Sequence, residues 1–231
     1  MAGLTAAALA PVLICIFYVY IRDKYEKEPI RLLCTGVTIG AIITFPIIQV
    51  ENLMTLMMPV GGLMMEAFYM AFIVAALVEE AFKYIVLFSL TWQNRNLNER
   101  FDGIVYAVFI SLGFAGFENV LYVLNPELGG LSTAVSRAIF SVPGHGFFGV
   151  TMGYYFAMAR FEPERRVSYM TKAFIMPWLV HGIYDFILMS NMPYVMLVFI
   201  PFVILMWING FKKMKRHIAA SPFRFRYGRT G

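Results

Sequence analysis

Seven nearly unbroken apolar stretches, at about 3–21, 32–50, 64–91, 103–124, 134–159, 172–190 and 194–211, constrain this chain more than any other feature. A helix crosses the roughly 30 Å hydrocarbon core with about 20 predominantly apolar residues, and its backbone must satisfy its own hydrogen bonds there. Each stretch has that length, and short polar breaks separate them. In 231 residues they leave no room for a sizeable soluble domain. No repeat, low-complexity tract or linker divides the chain. Composition agrees: 60% of the residues are hydrophobic and 14% charged, against about 25% charged in a soluble domain. Soluble enzymes, secreted disulfide modules and disordered chains are excluded. The expectation is an all-α, polytopic transmembrane bundle of about seven spans, with residues 1–231 forming one integral membrane domain in the cell membrane.

The basic residues set its orientation. With the N-terminus outside, Arg22, Lys24, Lys27 and Arg31 fall in the first inner loop and Arg95 and Arg100 in the second. Arg160, Arg165, Arg166 and Lys172 fall in the third, and Lys212, Lys213, Lys215, Arg216, Arg224, Arg226 and Arg229 in a cytoplasmic tail, 212–231. Seventeen of the 19 Lys and Arg are then inside and the outer loops hold none, as the positive-inside rule requires. The net charge of +5 therefore points to anionic lipid at the tail rather than to nucleic acid. Cys15 and Cys34 lack metal or redox spacing and read as reduced packing residues. Met1–Tyr20 has no basic n-region, so it reads as a first span and not a cleaved signal.

The exceptions carry the chemistry. Glu79, Glu80 and Lys83 lie in the third span, Glu118 in the fourth, Arg137 and His145 in the fifth, and His181 and Asp185 in the sixth. Each ionisable group costs at least about 2.5–3.5 kcal/mol on insertion scales. Eight of them on four helices at similar depth imply a shared polar cavity. Glu79 and Lys83 are i, i+4 and share a face, while Glu80 points about 100° away. One glutamate is thus expected to be neutralised by Lys83 or Arg137 while the other faces the cavity. His181 and Asp185 are also i, i+4, so the carboxylate can orient the ring. With neutral histidines the formal charge of the group is −2, which calls for a divalent cation or protons on two carboxyls. Pro143 frees the Ile139 carbonyl just before His145, and Pro177 precedes His181 by one turn. Gly36/Gly40 and Gly149/Gly153 have the spacing of close helix contacts.

Blander readings stand beside these. Lys83 suits a structural ion pair, and Arg137 suits a headgroup-seeking residue as well as a site residue. Glu51 and Glu66, near the outer boundary, read as solvated. Asp185 reads as a support for His181.

Two activities need carboxylates and imidazoles at mid-membrane. One is peptide hydrolysis, with a glutamate taking a proton from water and a metal or donor groups stabilising the oxyanion. A zinc site would be of His2Glu type assembled from different helices, since HExxH is absent. The other is proton-coupled transport, which usually brings internal repeats that this chain lacks. A non-catalytic scaffold binding a partner's membrane helix is the third possibility.

Four motifs, Val78-Glu79-Glu80-Ala81-Phe82-Lys83, Gly113 to Asn119 (GFAGFEN), Pro143-Gly144-His145-Gly146 and Val180 to Phe186 (VHGIYDF), fall on successive spans. In kind and order they resemble the membrane motifs of the PrsW family, bacterial intramembrane proteases named for one that makes the first cut in a membrane-bound anti-sigma factor. The chain is distantly similar to the CAAX prenyl endopeptidases as well. It departs from their pattern in carrying Lys83 where they have an Arg one residue later, and in lacking a Phe four residues before His145. Those departures weigh against prenylated substrates.

The resemblance implies an intramembrane peptidase with Glu79, Glu80, Glu118, His145 and His181 lining its active site and a membrane-anchored protein as substrate. One of Glu79 and Glu80 is then the general base. A zinc ion, if used, is expected on Glu80, His145, His181 and Glu118, the alternative being a metal-free glutamate mechanism. Asn119 is the candidate oxyanion donor, with Lys83, Asp185 and Arg137 in support. Glu118's outward position suggests cleavage nearer the extracytoplasmic side.

Overall fold

The computed structural model describes residues 1–224, and among them all regular structure is helical. The elements are α1 (Ala2–Arg22), α2 (Ile30–Ile42), α3 (Thr44–Leu56), α4 (Leu63–Phe68), a π-helical segment (Tyr69–Ala76), α5 (Leu77–Thr91), α6 (Arg100–Leu124), α7 (Leu131–Ile139), α8 (Ser141–Phe161), a 3-10 turn (Pro163–Arg165), α9 (Arg166–Met189), α10 (Pro193–Met196) and α11 (Phe199–Ala219). Joined end to end they make seven helical runs. Five of these, Ala2–Arg22, Ile30–Leu56, Arg100–Leu124, Pro163–Met189 and Pro193–Ala219, are long and apolar enough to cross a membrane. The other two, Leu63–Thr91 and Leu131–Phe161, carry Glu79, Glu80, Lys83, Arg137 and His145. The basic-tail residues Arg226 and Arg229 lie outside the described residues.

Proline explains two of the interruptions. Pro46 has no N–H for the Ile42 carbonyl, and the helix breaks at Ile43. Pro143 does the same to Ile139, and the break falls at Phe140, as the sequence predicts. Pro11 and Pro177 are carried within continuous helices. The turn after α9 closes with Asn191 at φ 51°, a left-handed position that asparagine tolerates.

α6 is the axis of the bundle. It is buried without interruption from Phe101 to Gly116, which an all-round apolar helix requires. Its neighbours reach it through glycine. A Cβ on Gly40 would stand 2.2 Å from the Ile110 carbonyl oxygen, and one on Gly153 would stand 2.2 Å from that of Gly103. α2 and α8 therefore rest backbone to backbone on α6. Leu13, Phe17, Phe45, Leu53, Ile85 and Leu205 point outward, as lipid-facing residues do. Cys34 is exposed as well, so it does not pack inside the bundle, and Cys15 is half-buried; both are free thiols.

Candidate active site

α5, α6, α8 and α9 bring the predicted side chains together around a cavity of about 340 Å³. Two glutamates on the first turn of α5 meet Lys83 one turn later. Its Nζ donates to Glu79 Oε2 and Glu80 Oε1, at 2.9 Å each. Lys83 is fully buried, and its ammonium lies 4.2 Å from the centre of the Phe114 ring. The sequence reading, in which Lys83 serves one glutamate and leaves the other to the cavity, needs correction. Three or four residues of spacing both lie within reach of a lysine, so one ammonium bridges the pair. Only Glu79 lines the cavity, and Glu80 is wholly buried behind it.

The two imidazoles are held alike. His145 Nε2 lies 3.2 Å from Glu118 Oε2, and its Nδ1 faces Lys83 Nζ at 3.4 Å and Glu79 Oε2 at 3.9 Å. His181 Nε2 lies 3.2 Å from Asp185 Oδ2, and its Nδ1 lies 3.0 Å from Glu80 Oε1. Because Lys83 donates, His145 Nδ1 accepts, which leaves the proton on Nε2 for Glu118. The partners thus assign the tautomer. In both rings Nε2 is anchored to an outlying carboxylate and Nδ1 turns toward the glutamate pair. Phe148 stacks on His181 at 4.4 Å and fixes the ring plane.

Glu79, Glu80, His145 and His181 each bring a ligand atom to within 4.8 Å of the others. Two imidazoles with carboxylates are a donor set that zinc takes. Anchoring the far nitrogen of each ring to a carboxylate is how protein metal ligands are oriented. Glu80 Oε2 is buried with no hydrogen-bond partner among the described residues, so the set has a free acceptor where a cation would be received. The residues present fit a metal ion.

Two sequence expectations change here. Glu118 is not among the converging donors. Arg137 closes on its carboxylate and His145 takes the same oxygen, so Glu79 stands in its place in the metal set. Asn119 is not an available oxyanion donor. It is fully buried, its Nδ2 donates to the Ala8 carbonyl at 2.7 Å, and its Oδ1 accepts from Arg137 Nε at 2.7 Å. It orients Arg137. Of the two readings of Arg137, the structure favours the site residue, since it lines the cavity.

Some lining residues escaped the sequence reading. Glu51, expected to be solvated, lines the cavity with Asn52 and Thr55. α3 runs six residues past the expected end of that stretch, and the break at Ile43 redirects it over the site. Tyr184 and Ser141 line the cavity too. The hint for Tyr184 was its place beside Asp185 in the fourth motif. The π-helical segment just before Glu79 gave no sign in its sequence. It shifts the register of the chain entering α5, and the Phe72 carbonyl within it receives the Trp178 indole N–H at 2.8 Å.

Comparison with known proteins agrees with this architecture. Residues 28–208 match the model of the PrsW family intramembrane metalloprotease. The chain is 36% identical to the protease PrsW of Oceanobacillus iheyensis over 94% of its own length and 96% of that protein. It is 35% identical to the protease PrsW of Clostridioides difficile, over 91% and 90% respectively. For the protease PrsW of Bacillus subtilis the values are 34% identity over 94% and 96%. No solved structure matches. A chain matched over most of its length by this family's model and by several of its curated proteases belongs to the PrsW family of intramembrane metalloproteases, and it is a multi-pass membrane peptidase.

Proposed function

We propose that the protein cuts a peptide bond in a membrane-anchored regulatory protein, of the anti-sigma-factor kind, and that Glu79, Glu80, His145 and His181 form the active centre. The observation that carries this reading is the convergence of two carboxylates and two oriented imidazoles from three helices within 4.8 Å. Zinc would be held by Glu80, His145 and His181, a set that leaves a coordination position open and Glu79 free beside it, and would supply a Lewis acid for the scissile carbonyl.

The remaining work falls to the chain. Glu79, the cavity-facing member of the pair, takes the proton of the attacking water and later passes it to the leaving amine. Lys83 stands 2.9 Å from each glutamate and balances their charge. Glu118 and Asp185 hold the ring nitrogens that face away from the reaction. Arg137 and the Tyr184 hydroxyl, both on the cavity wall, meet the negative charge that develops on the carbonyl oxygen, the task Asn119 is too buried to perform.

The same proposal extends to topology. Residues 1–231 act as one membrane domain of seven spans, the runs Leu63–Thr91 and Leu131–Phe161 included, with an outer N-terminus and a basic tail on anionic lipid. The cavity wall continues to Glu51, Thr55, Tyr122 and Met189, at the end of the bundle opposite the basic loops. Cleavage is accordingly expected in the outer half of the substrate span.

Purified protein in liposomes with a single-span substrate tests the reading. Glu79→Gln, Glu80→Gln and His181→Ala should each abolish cutting. Wild-type rates in all three would refute it. Product termini in the inner half of the span would refute the outward opening.

A further inference from the structure

A second group of buried carboxylates lies at the basic end of the bundle, where the end of α1 and the starts of α2 and α6 come together. Asp23 ends α1, Glu28 precedes α2, Glu99 caps α6 and Asp102 lies on its first turn. Asp23 and Asp102 are fully buried, Glu99 is 2% exposed and Glu28 4%. Among the described residues none of the four forms an ion pair.

The backbone holds each of three carboxylates by one side only. Asp102 Oδ2 accepts the N–H groups of Asn98 and Glu99 at 2.8 and 2.7 Å. Glu99 accepts the Asp102 N–H in return, a reciprocal cap. Asp23 Oδ2 accepts the Glu28 N–H at 3.2 Å. The second oxygens, Asp23 Oδ1, Glu99 Oε2 and Asp102 Oδ1, are buried with no hydrogen-bond partner among the described residues, and so is Asn98 Oδ1. Asp23, Glu99 and Asp102 each bring an oxygen to within 4.8 Å of the other two. Glu28 lies against Asp102 and accepts the Tyr106 hydroxyl from its other side. Lys27, the cation whose charge acts on Asp23, donates to the Tyr20 carbonyl and lies over the Tyr20 ring.

Burying a charged carboxylate oxygen without a partner is unfavourable, and something must neutralise this group. We propose that Asp23, Glu99 and Asp102, with Glu28 and Asn98 alongside, form a binding site for a hard divalent cation that ties the end of α1 to the start of α6. All the donors are oxygen, the preference of Mg2+, Ca2+ and Mn2+ and not of zinc. Backbone N–H groups fix one oxygen of each carboxylate and leave the other free, so the site is formed before the ion arrives. Burial pushes the Asp23 carboxyl up to about 6 and the Glu99 carboxyl up to about 7, which makes protons the competing occupant.

The test uses the full chain purified in detergent and Mn2+ titration followed by electron paramagnetic resonance, with Mg2+ and Ca2+ as competitors. Wild type should bind Mn2+ in two classes. A His145→Ala/His181→Ala protein should keep the class that Mg2+ and Ca2+ displace. Asp102→Asn and Asp23→Asn should lose that class, with affinity down about tenfold or more. Both substitutions retain the oxygen that accepts the backbone N–H, so folding is preserved, and circular dichroism verifies it. Unchanged Mn2+ binding in both folded variants would overturn the proposal. So would a thermal midpoint that ignores divalent cations and rises on acidification, because protons would then be the occupant. Binding that emerges only when Arg226 and Arg229 are replaced by Gln would also overturn it, by giving the counter-charge to the tail.

Discussion

The two acidic clusters of this molecule are built from the same side chains and solve opposite problems. Around the cavity, Glu79, Glu80, Glu118 and Asp185 each meet a nitrogen: Lys83 bridges the first two, Arg137 and His145 hold the third, and His181 holds the fourth. At the basic end, Asp23, Glu99 and Asp102 meet backbone N–H groups through one oxygen, and among the described residues none of them pairs with a cation. A carboxylate matched by a fixed nitrogen has its partner built into the fold. A carboxylate anchored by neutral donors has no fixed counter-charge, and a proton or a mobile cation must supply one. Side-chain identity alone therefore does not separate a reactive centre from a binding site. The nature of the partners does.

The contrast breaks most visibly in turnover. Glu79→Gln should lower kcat by about 10²–10⁴-fold, the usual contribution of a general base, whereas Asp102→Asn should leave turnover within a few-fold of wild type under saturating Mg2+. Comparable losses in the liposome cleavage assay would erase the distinction. Stability comes next. Lys83→Met strands two buried carboxylates and should cost about 3–5 kcal/mol, read as a fall in the thermal midpoint. At the basic end Asp23→Asn should raise the midpoint in chelator, because its amide supplies the donor the cluster lacks.

Metal affinity gives a smaller effect. Asp185→Asn weakens the hold on His181 and should reduce zinc affinity by about 10–100-fold, without altering Mn2+ binding at the basic end. The smallest effect is a pH slope. Asp23 and Glu99 are raised to about 6 and 7 by burial, above an ordinary carboxyl near 4. Between those limits the folded chain holds protons that the unfolded chain has released. Their contribution is thus full below about pH 4 and lost as pH rises through about 6–7. In chelator, wild type should lose more stability than Asp23→Asn across that window, and Mg2+ or Ca2+ should flatten the difference.

Much of the candidate site is legible in the sequence, for reasons of physics. Charged residues inside apolar stretches are conspicuous because the bilayer penalises them, and helical spacing puts Glu79 with Lys83 and His181 with Asp185. What one-dimensional spacing cannot carry is which neighbour wins a shared partner. Asn119 was a plausible oxyanion donor until the Ala8 carbonyl and Arg137 claimed its amide. Glu51 looked solvated because the break at Ile43, which carries α3 over the cavity, is a three-dimensional event. The basic-end carboxylates were hidden for a different reason. Asp23, Glu28, Glu99 and Asp102 sit among Lys and Arg in polar loops, where acidic residues are unremarkable, and only the fold shows that they are buried.

The most direct test of the active-centre assignment is the zinc content of folded, monodisperse protein, measured beside cleavage on the same samples. The account predicts about one zinc per chain in wild type, none in His145→Ala or His181→Ala, and cleavage that disappears with a chelator and returns with zinc. Full zinc occupancy in both histidine variants, or cleavage that survives complete removal of the metal, would contradict it.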